Sequence, residues 1–362
     1  MNAMLKAAGA ISALALALSS VLHLARAANE DPIADAGSTA GVLAGESTDT
    51  AVDAQPAALH QWRALMAQNP PPDKGCFHAT YPDAWEKVDC TIAQPRVHPT
   101  HVKTVGDEAD DVGNRNDYVA YATGLISSAV GGLEISGVTS EHSVGVAEYH
   151  DQGTLGPNEY SIQINTNKQM STSALGCSGR RGCKVWQQFV YSTDYVSAGV
   201  AEVYMQYWLL NYGSCPSGWN HEPKSSNCYV NSPLADAPDI PITDLGFVDL
   251  ATTVQAGGID CVTLYYSSEV IGNCFLDGML EISSVWNKAE FNVVGDGGGS
   301  RADFNDGTSI SPLLYVYDGS RSPPTCLANA GTTGESNNLK LGKCTAGVAN
   351  GRVPYIRFTE SR

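Results

Sequence analysis

Two stretches of the chain set amide and carboxyl side chains inside runs of large apolar residues. One is Val185-Trp186-Gln187-Gln188-Phe189-Val190-Tyr191, and the other runs from Val285 through Lys288-Ala289-Glu290-Phe291-Asn292 to Val294. A carboxyl group shut away from water holds its proton more tightly, so it can take a proton from a water molecule and later hand it to a leaving amine. A fixed amide can donate to the oxyanion of a tetrahedral intermediate. Such a pair needs neither a metal nor a covalent nucleophile. In an extended strand Ala289, Phe291 and Val293 point one way while Lys288, Glu290 and Asn292 point the other. The plain alternative is a Glu290–Lys288 ion pair on a wet outer face, with both glutamines bordering solvent. A buried amide, by contrast, must find partners.

Other chemistries find less support. Gly-x-Ser-x-Gly, the elbow of a triad hydrolase, does not occur. No Glu-x-Asp-x-x-Glu run offers the paired carboxylates of a retaining glycosidase. Asp296, Asp303, Asn305 and Asp306 do not follow the calcium-loop spacing. There is no Cys-x-x-Cys, and His98-Pro99-Thr100-His101 has no further zinc ligands nearby, so it reads as a loop with two exposed histidines. No cofactor and no metal are expected. Tyr204, Tyr207, Trp208 and Tyr212 could be platforms of a non-catalytic secreted module that binds carbohydrate or a cell-surface partner, although strand aromatics are more often core.

The elements that position these residues read as all-β. From about residue 106 the apolar period is two, over Tyr118–Thr123, Glu134–Val138, Tyr160–Ile164, Val185–Tyr191, Glu202–Leu210, Val262–Tyr266, Leu280–Val285, Ala289–Val294, Leu313–Tyr317 and Tyr355–Phe358, with Gly, Asn, Asp or Ser clusters between. Many short strands without helix-length patterns between them predict a jelly-roll sandwich of two antiparallel sheets. Upstream, Leu59, Trp62, Leu65 and Met66 recur at helical spacing before Asn69-Pro70-Pro71-Pro72, which predicts a short helix over about 57–68. Its apolar stripe must dock, either on the main domain or over a site as part of a pro-segment.

Lys6, the apolar run from Ala7 to about Leu22 and the small-x-small triplet Ala25-Arg26-Ala27 have the layout of a secretory signal peptide over 1–27. A leader or pro-segment with the short helix is expected over 28–75, a disulfide-closed lead-in over 76–105 and the sandwich over 106–362. All ten cysteines follow the signal. Pairing them as 76–90, 177–183, 215–228, 261–274 and 326–344 closes the shortest loops, as suits an oxidising compartment. The expected location is therefore secreted, extracellular or periplasmic. With 21 Lys+Arg against 38 Asp+Glu and a formal charge of −17, no nucleic-acid partner is expected, because phosphate would be repelled. No membrane association after signal cleavage is expected either, and the protein is expected to be a monomer.

Read in order, Asn116-Asp117-Tyr118-Val119-Ala120, Tyr160-Ser161-Ile162-Gln163-Ile164-Asn165, Trp186-Gln187-Gln188-Phe189-Val190, Gln206-Tyr207-Trp208 and Ala289-Glu290-Phe291-Asn292-Val293 resemble successive strands of the glutamic peptidases, with the neprosin-type enzymes as looser relatives. The likeness spans roughly 114–318, and its motifs are short. It implies a secreted acid endopeptidase with a peptide or protein substrate. Glu290 would be the base and then the acid, Gln187 the oxyanion amide, and Trp208 and Asn165 substrate contacts. Asn165 stands where that family's pattern suggests an aspartate. Gln187 fits the spacing to Val190, and Gln188 is its rival, because a one-residue shift moves a side chain to the opposite face.

Overall fold

The computed structural model of the chain describes residues 54–93, 97–98, 111–113, 116–145, 155–169, 175–277 and 280–362. The expected signal peptide and residues 28–53 lie outside the described residues. Two large sheets dominate, as the period-two reading requires. In the smaller, adjacent strands run in the order Asn220–His221, Cys228–Asn231, Val200–Leu210, Lys184–Ser197, Tyr160–Asn165, Lys288–Gly295, Val119–Tyr121 and Thr325–Leu327, with Ala235–Pro238 also pairing with Val200–Leu210. The larger sheet is centred on Ile259–Tyr266, Val248–Thr253, Ser128–Ser136, Ser309–Tyr317 and Val353–Ser361. Its pairings are antiparallel except where Arg301–Phe304 meets Ser336–Ala349. The fold is thus an all-β sandwich of two sheets.

The core lies between the sheets. Ala289, Phe291 and Val293 enter it together with Val185, Phe189 and Tyr191, and meet Leu250, Leu264, Leu314 and Val316 of the larger sheet. Full burial of one such aromatic contributes about 1.5–3 kcal/mol. Gly131 makes this approach possible, because a Cβ there would lie 2.3 Å from the Phe291 ring.

The helix spans Ala54–Gln68 and ends before the prolines, as its pattern predicts. It docks on the main domain, on the outer face of the larger sheet. Trp62, Met66 and Ala67 pack against Val130, Tyr265, Leu313 and Tyr315, and Trp62 Nε1 donates to Asp83 O at 2.8 Å. Those sheet residues alternate with the core-facing ones, so the helix and the sandwich interior lie on opposite sides of the sheet.

Two expectations need correction. The lead-in is not separate from the sandwich: Gly75–Thr80 pairs along its whole length with Glu269–Leu276, and Glu86–Val88 pairs with it in turn. Leu280–Val285 is not a strand. Both oxygens of Asp277 accept backbone N–H groups, from Leu280 at 2.9 Å and Ile282 at 2.6 Å, while Glu281 adopts a left-handed φ of 46° and a 3-10 turn covers Ile282–Ser284. The carboxylate offers this backbone a local alternative to a ladder. The five disulfides join the cysteines as the shortest-loop rule expects, with none left free. They fit an oxidising compartment. Among the described residues no helix is long and apolar enough to cross a membrane.

Candidate active site

The register of the smaller sheet decides which polar side chains meet. Glu290 lies opposite Asn165, Asn165 opposite Gln188, Gln188 opposite Gln206 and Gln206 opposite Asn231. Directly paired residues of adjacent strands share a face, so a carboxyl and four amides form one row across five strands. Because Phe291 and Phe189 face the core, the row lies on the side of the sheet turned away from the sandwich interior.

That face is not wet. Glu290 is 2 % exposed, and its Oε2 accepts the backbone N–H and the hydroxyl of Thr332, each at 2.7 Å. Asn165 Nδ2 lies 3.5 Å from the same oxygen. Glu290 Oε1 and Asn165 Oδ1 are buried with no hydrogen-bond partner among the described residues. Gly331 brings its backbone against this carboxyl, where a Cβ would lie 2.6 Å from Oε1. Burial raises the Glu290 pKa, partly opposed by the two Thr332 hydrogen bonds and the positive charge of Lys168. The expected alternative of an exposed ion pair with Lys288 does not form; Lys288 sits over the Tyr121 ring instead.

Gln188 belongs to this site. Its Nε2 donates to Gln163 Oε1 at 3.1 Å, an oxygen that also accepts Asn165 Nδ2 at 3.1 Å, and its Oε1 accepts Trp208 Nε1 at 2.9 Å. One strand separates Gln188 from Glu290, so their backbones stand about 10 Å apart, twice the strand spacing. Gln187 is not brought to Glu290. It points into the sandwich, where its Nε2 donates to Asp260 Oδ2 of the larger sheet at 3.1 Å. The one-residue shift therefore favours Gln188 as Glu290's neighbour. Trp208 and Asn165 both lie on the Glu290 face.

Behind Glu290, Asn292 donates to Asp117 Oδ2 at 2.9 Å and to Glu360 Oε2 at 3.2 Å. Burial, with the nearby Glu290 and Glu360, pushes the Asp117 carboxyl well above its usual range, and burial pushes Glu360 up to about 8. In the sequence Asp117 stands only within the Asn116-Asp117-Tyr118-Val119-Ala120 stretch. Nothing but its position just before the expected Tyr118–Thr123 strand, observed over Val119–Tyr121, hinted that it would stand beside the site.

His98 is not an exposed loop residue. It is fully buried, with Nε2 2.6 Å from Tyr204 Oη and Nδ1 3.2 Å from Gln163 Nε2. Its expected companion His101 lies outside the described residues. Among the described residues no group of three or more His, Cys, Asp or Glu side chains could hold a metal ion. The four calcium candidates have separate engagements. Asp296 accepts the Ser192 hydroxyl, Asp303 pairs with Arg301 at 2.7 Å, Asn305 accepts the Thr139 N–H at 2.8 Å, and Asp306 pairs with Arg362 at 2.8 Å. Of the proposed aromatic platforms, Tyr204, Tyr207 and Trp208 are buried, and Tyr212 stacks on the Arg180 guanidinium at 3.6 Å.

A dry carboxyl with one oxygen held by donors and the other unpartnered can bind and deprotonate a water. An amide one strand away can donate to the oxygen of a carbonyl placed between them. No family model matches the chain, and no curated protein matches it, so the chemistry rests on this geometry.

Proposed function

We propose that the protein is a secreted endopeptidase of the glutamic type, with Glu290 and Gln188 as its working pair. The observation that carries this reading is the in-register row Glu290–Asn165–Gln188–Gln206 on one buried face, with Glu290 Oε1 unpartnered among the described residues. Glu290 Oε1 takes a proton from water as the water oxygen bonds to the peptide carbonyl carbon. The Gln188 amide, which donates to Gln163 in the resting arrangement, donates to the developing oxyanion. As the C–N bond breaks, Glu290 returns the proton to the amine nitrogen. Asn165, between the two, orients the water, and Trp208 holds Gln188 in place through its indole N–H.

The test is cleavage of an unfolded protein substrate between about pH 2 and 7, spanning the carboxyl range. Glu290→Gln keeps the size and removes the base, and is expected to lower cleavage by 10²–10⁴-fold, roughly the span of general acid–base catalysis. Full activity in Glu290→Gln would remove Glu290 from the mechanism. A wild type that cuts nothing across that range would remove the peptidase reading.

A further inference from the structure

We infer that the face carrying Glu290 is a groove for extended polypeptide with an aromatic pocket for a branched aliphatic side chain, and that Val97–His98 is its resident occupant, so the chain in this form blocks its own site. This rests on the peptidase reading for what the groove does, but its geometry stands without it. Val97 is fully buried among Trp186, Trp208, Leu210 and Tyr229. Trp186 and Trp208 lie 5.5 Å apart, and Tyr229 stacks on Trp208 at 5.1 Å. Trp186 and Trp208 stand two residues along their strands from Gln188 and Gln206, on the same face as the row.

The main chain of the occupant is gripped from both sides. His98 N–H donates to Gln206 Oε1, a member of the Glu290 row, at 2.9 Å. Val97 O accepts Gly298 N–H at 2.7 Å. That donor comes from three successive glycines with φ of 72°, 62° and 71°, and a Cβ at Gly297 would lie 3.4 Å from both Val97 O and His98 Cε1. The His98 ring enters a polar recess made by Tyr204, Gln163 and Glu335, with Glu335 Oε1 3.4 Å from Nδ1. Main-chain hydrogen bonds supply hold on an extended peptide, and pockets for its side chains supply selectivity. Gln163, which contacts His98, is also the residue that binds the Gln188 amide. An occupant here therefore touches the working row directly.

The occupant reaches the groove from Cys90, which is tied to Cys76, and from Thr91, whose backbone pairs with Leu234. Val97 and His98 themselves rest on the outer face of the smaller sheet, against Trp186, Trp208, Gln206 and Tyr204. Neither Val97 nor His98 is a member of a sheet ladder, so removing them breaks no strand pairing.

The test measures binding of a synthetic octapeptide with the sequence of residues 94–101, on the full chain carrying Glu290→Gln so that the probe is not cut. Val97→Asp places a carboxylate against the two indoles and is expected to expel the segment. Tryptophan emission should then shift to the red with greater acrylamide quenching, and the peptide should bind saturably. The chain with Val97 intact should bind it at least about tenfold more weakly, because the competent fraction is occupied. A peptide with aspartate in place of its valine should not bind. Should Val97→Asp fail to fold, Val97→Ala supplies the same comparison with a smaller perturbation, and binding by it supports the inference. Unchanged tryptophan emission, or no peptide binding by whichever variant folds, overturns it. Peptide binding by a Val97 variant that retains Glu290 yet cleaves nothing would leave the groove in place and sink the peptidase reading alone.

Discussion

Gln187 and Gln188 are neighbours on one strand, equally buried, and each lies near a buried carboxyl, yet they inhabit different chemical worlds. Gln187 meets Asp260 between two hydrogen-bonded sheets, and Asp260 is raised well above its usual range by burial and by the nearby Asp277. Gln188 lies in the Glu290 row on the other face, covered by Val97–His98 and by the turn at Gly331–Thr333. To reach Gln187 from solvent the sandwich must open, which is global unfolding. To reach Gln188 only a covering segment must move, which is a local event of much lower cost. Burial and residue type are alike on the two faces, so access is what separates the Gln187–Asp260 pair from the pair proposed to work.

The largest effect expected from this contrast is on turnover. Gln188→Ala removes the proposed oxyanion donor and should lower cleavage by about 10²–10³-fold, while Gln187→Ala should leave the rate per folded molecule unchanged. Side-by-side kinetics on the two purified variants decide the matter, and the reverse pattern would break the assignment of faces.

A second effect concerns pH. Glu360, which accepts Asn292 behind Glu290, is pushed up to about 8, and Asp277, near Asp260, up to about 6, both by burial. Each binds its proton more tightly in the native protein than in the unfolded chain, so its contribution is complete below about pH 4 and is lost as pH rises through its native value. Thermal melts should therefore show stability declining continuously from about pH 4, with the slope easing near pH 6 and again near pH 8, and a loss on the order of a few kcal/mol from each group. Glu360→Gln should reduce the slope from about pH 4 to about pH 8 and remove most of the fall above pH 6, and a melting temperature that does not fall between about pH 5 and 9 would contradict these raised carboxyls.

Gln187→Ala should in turn cost stability, about 1–3 kcal/mol for the Asp260 oxygen left without its amide donor. Denaturant melts at pH 7 give that number, and a neutral result would mean that Asp260 takes up its proton without penalty. The smallest effect expected is at Thr332. Thr332→Val deletes one donor to Glu290 Oε2 and keeps the backbone N–H, so the carboxylate loses support and its pKa rises. The limb of the rate profile that reports this base should move to higher pH by about one unit.

The alternation around Glu290 was legible because its two faces differ in composition, with Ala289, Phe291 and Val293 against Lys288, Glu290 and Asn292. The strand of Gln187 and Gln188 offers no such contrast. Trp186 and Val190 are as buried as Val185 and Phe189, since a sheet covered on both sides needs apolar residues on both. The choice between the glutamines was therefore set by register with Asn165 and Gln206, which only pairing reveals. The cysteine couples could be read from loop length. Val97–His98 could not, because an irregular segment held by side-chain amides and a glycine turn carries no periodicity. Leu280–Val285 failed for a related reason: Asp277, placed just before it, captured its N–H groups.

Four of the five disulfides keep to one sheet or its adjoining turns, while Cys326–Cys344 joins the Thr325–Leu327 strand of the smaller sheet to the Ser336–Ala349 strand of the larger. Gly331, Thr332, Thr333 and Glu335 all lie inside the ring that it closes. The donors that grip the Glu290 carboxylate are thus carried on a covalent hoop whose ends are fixed in both layers, and the unfolded chain surrenders part of that loop's freedom as soon as the two sulfurs join. Assembly of the Glu290 site is in this way coupled to thiol oxidation. A polypeptide made where thiols stay reduced would have to gather those donors without the hoop, from a far larger set of loop conformations.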